Sequence, residues 1–148
     1  MKRAIALLDE LIGDLEGSDA IAGFCSSIDV PTTLLTAAHE NEPVRFIYAN
    51  EAFCDLCGYE CRDIIGETPK FLQGDDTDQV AAMNFRRDIE RDGKGFTTLI
   101  NYHRNGSPYE FFLLGAQIKG DVGHDQAQLY AAFSFRIGDA QYSLPKAS

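Results

Sequence analysis

The run Leu129–Ile137 constrains the fold more tightly than any other part of the chain. Leu129, Ala131, Phe133, Phe135 and Ile137 fall on one side of an extended backbone, and Tyr130, Ala132, Ser134 and Arg136 on the other. The first set is wholly apolar. The second is mixed, as the lining of a pocket is. Phe112 and Leu114, set against Phe111 and Leu113, repeat the division in the preceding strand. An antiparallel sheet commonly leaves one face wet, so a second apolar face needs its own cover. Helices of the same domain take one face. The N-terminal helix, a second subunit, or both can take the other, and the expected partner is a second copy, in a homodimer through the outer sheet face and the N-terminal helix.

The chain has 148 residues, 45% of them hydrophobic, which suffices for one core. Mean hydropathy is -0.20, and no apolar run approaches the ~18 residues of a membrane span. The net charge of -10 repels phosphate backbones and anionic lipid surfaces, so neither nucleic acid nor membrane is an expected partner. Met1-Lys2-Arg3 is basic, but Asp9, Glu10 and Asp14 follow too soon for a secretory signal. The expected location is cytoplasmic. Cys25, Cys54, Cys57 and Cys61 are then expected as reduced thiols. The spacing Cys54-x-x-Cys57-x-x-x-Cys61 invites a metal, yet no second Cys pair or His pair completes a tetrahedral set. No metal is expected.

Taken in order, residues 2 to 16 read as an amphipathic helix, with Ile5, Leu8, Ile12 and Leu15 in one stripe and Gly17 as its stop. A second short helix is expected from Ser18 or Asp19 toward Ser27. Thr32–Thr36 and Val44–Tyr48 read as a pair of strands. Asn50-Glu51-Ala52-Phe53 opens a short helix that Gly58-Tyr59 ends. A longer helix follows, with Asp76-x-x-Gln79 as a capping box and Asp92-Gly93 as its stop. Then the period changes to two. Phe96–His103 and Tyr109–Gln117 are strands joined by Asn105-Gly106, a type I′ hairpin signal. Gly120–Asp125 reads as a loop, Leu129–Ile137 as the last strand, and 138–148 as a short tail.

Between the short and long helices lies Gly66-Glu67-Thr68-Pro69-Lys70-Phe71-Leu72-Gln73-Gly74, a turn rich in helix punctuation with Lys70 and Gln73 around an apolar pair. Together with Phe46-Ile47-Tyr48-Ala49-Asn50, Gly58-Tyr59, Ile64-Ile65-Gly66, Thr77-Asp78 and Leu99-Ile100-Asn101-Tyr102, this stretch resembles the PAS family. Within that family it looks like the light-oxygen-voltage (LOV) branch. The resemblance covers residues 32–137. It implies an α+β fold: a five-stranded antiparallel sheet in the order 2-1-5-4-3 with short helices on one face, to which the two N-terminal helices read above add a cap over residues 1–31. It also implies flavin mononucleotide (FMN) as the cofactor, held between sheet and helices. On that pattern Lys70 and Arg86 match phosphate-binding arginines, Gln73 a glutamine at the ribityl chain and phosphate, and Asn101 one of two asparagines at the ring edge. Three positions depart from it. Pro69 stands where the family has its flavin-reactive cysteine, Phe111 where it has the second asparagine, and Ser134 where a glutamine relays the protonation change.

These departures leave FMN binding open. An unpaired ring-edge atom costs about 1–3 kcal/mol, and two losses weaken binding by ~10²-fold. Without the resemblance, Arg86 beside Arg87 reads as a solvated helix face and Asn101 as a sheet residue satisfying backbone. The expected function is a stand-alone LOV-like sensory or interaction module, signalling through a dimer or a separate protein partner without cysteinyl-flavin chemistry. The alternative is an FMN-binding blue-light receptor acting by photoreduction, with Tyr or Cys as donor because the chain has no Trp. No Ser-His-Asp pattern, P-loop or dinucleotide fingerprint marks an enzyme. The long helix holds no His to ligate haem.

Overall fold

In the computed structural model, residues 29–36, 43–122 and 125–138 are described. The expected N-terminal helix, the second helix and the tail lie outside them. Five strands form one antiparallel sheet: β1 (Thr32–Thr36), β2 (Phe46–Ala49), β3 (Lys94–Tyr102), β4 (Pro108–Val122) and β5 (Asp125–Gly138). Their order is β2-β1-β5-β4-β3, as the resemblance implied. Between β2 and β3 run α1 (Glu51–Cys57), α2 (Cys61–Ile64), a 3-10 turn (Pro69–Leu72) and α3 (Gln79–Asp92).

The two-sided pattern of β5 is realised. Leu129, Ala131 and Phe133 join Leu34, Leu114, Ala116 and Ile118 in one buried cluster on the outer face. Tyr130 and Ala132 face the other way, into a cluster with Leu35, Phe46, Phe53, Ile64, Leu72 and Ile89. Each Leu, Ile or Phe among them, fully buried, contributes about 1.5–3 kcal/mol. The helices therefore attach to the face that the mixed set of β5 occupies.

Local chemistry departs from expectation in several places. The cap of α3 is Asp78, not Asp76: its side chain accepts from the Ala81 N–H at 3.0 Å. Asp76 is unavailable, because residues 74–77 close a turn through Thr77 N–H to Gly74 O and the Asp76 N–H donates to Tyr102 Oη. The β3–β4 hairpin is present, but with another turn. Gly106 alone takes the positive φ (91°), and its N–H bonds His103 O inside a His103–Ser107 pair. That is a three-residue loop ending in a glycine bulge rather than type I′. β2 starts at Phe46, two residues later than expected, and its edge is paired with Gly66 and Glu67.

The expected loop at Gly120–Asp125 is mostly ladder. β4 and β5 stay in register out to Val122↔Asp125. Backbone pairing continues a hairpin whether or not the side chains are apolar, so polar composition misplaced the turn.

One expectation is overturned by covalent geometry. Cys54 and Cys61 form a disulfide with Cα atoms 5.7 Å apart, while Cys57 is a buried free thiol. Gly58, at φ 80°, reverses the chain after α1 and brings α2 back alongside it. Seven residues of separation thus become one contact. Spacing alone did not show this, because it depends on the left-handed turn between the helices.

Candidate functional site

The 3-10 turn forms where Pro69 occupies its first position, at which a missing N–H costs nothing. The following loop is pinned to β3. Thr77 Oγ1 donates to Ile100 O at 2.6 Å and accepts from the Gly74 N–H at 3.0 Å. Tyr102 lies so close to Gly74 that a Cβ there would meet its ring. These contacts hold residues 69–73 over the inner face of the sheet.

Between that loop, α3 and the sheet is a cavity of about 660 Å³. Lys70, Gln73, Arg86 and Asn101 all line it. So do Pro69, Phe111 and Ser134, the positions that depart from the LOV pattern. Residues scattered from 69 to 134 therefore converge on one space.

The cavity lining has an exposed, cationic part and a buried part. Lys70 and Arg86 are exposed. Arg86 Nε is 3.6 Å from Glu90 Oε1, a half-exposed pair that holds the guanidinium only weakly. Gln73 Oε1 accepts from Gln79 Nε2 at 3.1 Å, joining the loop to the first turn of α3. In the buried part Asn101 is 7% exposed, and Phe111 and Ser134 are buried. Leu35, Phe46, Leu72, Leu99 and Leu113 make apolar walls as well. Gly115 contributes backbone alone, and Phe85 and Ile89 fill the space where its side chain would be.

The solvated-face reading of Arg86 is half right: it is exposed and ion-paired, but it is also a cavity wall. Gln79 and Tyr130 line the cavity as well, although neither was singled out as a binding residue in the sequence. Gln79 was hidden inside the supposed capping box. Tyr130 carried a usable signal, since it belongs to the mixed set of β5.

Beside Asn101, and directly opposite it in the ladder, stands Tyr109. It is 3% exposed. Its hydroxyl is buried without a hydrogen-bond partner. Arg136 lies over its ring at 5.6 Å. Burial pushes the phenol well above its ordinary pKa, against a smaller downward pull from the Asn101 amide. Burial likewise raises the Cys57 thiol.

Residues 32–134 match the family model for the PAS domain. The chain belongs to the PAS domain family. Among its relatives, Phototropin-2 of Oryza sativa subsp. japonica is 37% identical over 78 residues, 52% of this chain and 8% of that protein. Blue-light-activated histidine kinase 1 of Erythrobacter litoralis is 38% identical over 63 residues, 43% of this chain and 18% of the kinase. This PAS chain thus spans under a fifth of the length of either relative. In fold it superposes on the Rhodobacter sphaeroides LOV protein with a TM-score of 0.67 at 23% identity, covering 80% of this chain and 65% of that one. The LOV domain of the Erythrobacter litoralis EL346 kinase gives 0.63 at 23% identity, covering 76% and 99%. The chain is a PAS domain with LOV-like relatives. Among the described residues, no helix is long and apolar enough to cross a membrane.

Proposed function

We propose that this PAS domain is a LOV-like sensory module that holds FMN non-covalently in the inner cavity and signals, without catalysis, through a second copy or a separate protein. The observation that carries this reading is the convergence of Lys70, Gln73, Arg86 and Asn101 on one cavity of about 660 Å³. Cavities of roughly 300–1,000 Å³ hold ligands of this size. The lining also fits in kind. Exposed cationic groups suit a phosphate, apolar walls suit the faces of a fused ring, and a buried amide suits its polar edge. The matched relative named as a blue-light-activated histidine kinase supports light as the stimulus.

FMN, when bound, supplies absorption of blue light and the capacity to accept electrons. Pro69 has no thiol, so the adduct is not available at that position. Ser134 is too short to replace a glutamine's reach without a water between. A photoreduction reading is favoured by one feature: Tyr130 is buried on the cavity wall, placed to give up an electron.

An absorption spectrum of the purified protein, before and after incubation with FMN, tests the proposal. Flavin bands are expected. A colourless protein that takes up no FMN would overturn it, and light-driven bleaching to a thiol-adduct spectrum, with no semiquinone or reduced flavin, would overturn the non-covalent part.

A further inference from the structure

Cys54 and Cys61 are joined across the corner between α1 and α2, and their two sulfurs are unequally sheltered. Cys54 is 8% exposed, whereas Cys61 is only partly buried. A thiolate arriving from solvent therefore meets the Cys61 sulfur first. The third cysteine of the corner takes no part in exchange. Cys57 is fully buried, and that burial pushes its thiol up and keeps it protonated. Exposed bridges are the labile ones, open to reduction by the thiols around them.

What the bridge holds gives its state a consequence. α2 is a single turn of four residues, and Glu60 offers it no side-chain cap. So short a helix has little stability of its own. Its place depends on the bridge at its first residue and on Ile64, which is buried in one cluster with Phe53 and Leu72. Beyond α2 the chain runs along the edge of β2, where the Gly66 N–H donates to Phe46 O at 2.8 Å. It then enters the loop whose Thr68, Pro69, Lys70, Leu72 and Gln73 line the cavity. Tyr59, inside the loop that the bridge closes, packs on Phe71 with ring centroids 4.6 Å apart. Phe53, next to Cys54, lines the cavity itself. Both ends of the bridge thus lead to the cavity wall.

We propose that the Cys54–Cys61 bridge is a redox site, opened by small thiols of the glutathione class, whose state sets how firmly the corner holds residues 68–73 over the cavity. One thiolate attacks the Cys61 sulfur, and the S–S bond breaks with its electron pair leaving on Cys54, which takes up a proton. A second thiol cleaves the mixed disulfide at Cys61. Two small thiols are oxidised to one disulfide, and the bridge is reduced to two cysteine thiols. The opened corner keeps its apolar contacts but loses its covalent tie, so Tyr59 holds Phe71 less firmly. This function is separate from FMN binding and does not depend on it.

The test uses the full chain without added ligand, equilibrated in mixtures of reduced and oxidised glutathione. Acid quenching, alkylation and peptide mass mapping then read each cysteine. Cys54 and Cys61 should convert together, half-way within the range of these mixtures, while Cys57 stays a thiol throughout. Hydrogen exchange at short labelling times reports local opening rather than global unfolding. At those times, opening the bridge should speed exchange in peptides covering 58–73 about tenfold, a share of the loop-closure effect, and leave the β4–β5 ladder unchanged. Cys54→Ser with Cys61→Ser should show the fast exchange in every mixture, and Cys57→Ala should keep the wild-type response. Tyr59→Ala should loosen 68–73 with the bridge closed, and opening it should then add less. A bridge that never forms, or that survives a large excess of reduced glutathione, overturns the redox site. Exchange in 58–73 that ignores the bridge overturns its hold on the cavity wall. Equal acceleration across the whole sheet at short times overturns that hold as well, by making the bridge a staple of the entire fold.

Discussion

Lys70 and Arg86 carry the same charge but are held differently, and the difference predicts their effects. Arg86 is engaged with Glu90, so binding a phosphate must draw it from a pair worth at most about 1 kcal/mol. Lys70 offers a point charge rather than the planar fork of an arginine. Lys70→Ala and Arg86→Ala should each weaken FMN binding about fivefold to tenfold. Both should leave riboflavin, which lacks the phosphate, nearly unaffected. Titration of the two flavins side by side checks this, and equal losses for both would move the phosphate elsewhere. The buried acids give a second expectation. Burial raises the pKa of Cys57 above its ordinary 9.0 and raises that of Tyr109 as well. A raised acid keeps its proton in the folded chain after the unfolded chain has released it. Their contribution is therefore fully present below about pH 9 and is lost as pH climbs further, at up to ~1.4 kcal/mol per pH unit for each group. Urea unfolding at a series of alkaline pH values should show that decline, and Tyr109→Phe should make it shallower.

At the scale of elements, the corner between α1 and α2 is the place where the covalent structure adds most. The Cys54–Cys61 bridge closes a short loop and clamps two helices that pack under the sheet with Phe53, Cys57 and Ile64. Loop-closure entropy for so short a span is worth about 2 kcal/mol. Cys54→Ser with Cys61→Ser should lower the unfolding free energy by that amount, and so should reduction of the wild-type protein. Denaturation with and without reductant checks it. An unchanged midpoint would mean that the bridge constrains nothing the packing has not already fixed. The elements also show where reading the sequence worked. The alternation in β5 separated the inner from the outer face correctly, because pleating makes side-chain direction a strictly local property. The capping residue of α3 did not follow in the same way. Asp76 and Asp78 are equally good caps by composition, and the choice was made by Tyr102, twenty-six residues from Asp76.

At the scale of the whole molecule, most of the outer face is buried, and its exposed part is an aromatic row toward the β3 edge. Phe96, on the edge strand β3, is 68% exposed. It stacks on Phe112 at 6.0 Å, which in turn contacts Phe135 at 6.4 Å, so the aromatic row runs across three strands. If a second copy covers this row, two-fold symmetry places one Phe96 from each copy in the interface. Phe96→Ser should then weaken dimerisation at least about tenfold, since burying one such ring is worth roughly 2 kcal/mol. Sedimentation of wild type and variant over a range of concentrations measures it. A wild type that stays monomeric would leave the face to a different partner.

The amino-acid sequence by itself determined the strand pattern, the two-faced sheet and the family, because each depends on local periodicity or on short motifs kept in order. It also named Lys70, Gln73, Arg86 and Asn101, through the resemblance. Tertiary structure alone decided that these four share one cavity, that Cys54 meets Cys61, and that Tyr109 keeps a buried hydroxyl beside Asn101. Those facts depend on strand register and on chain reversals at glycine, which bring together residues far apart in the sequence and leave no local trace in it.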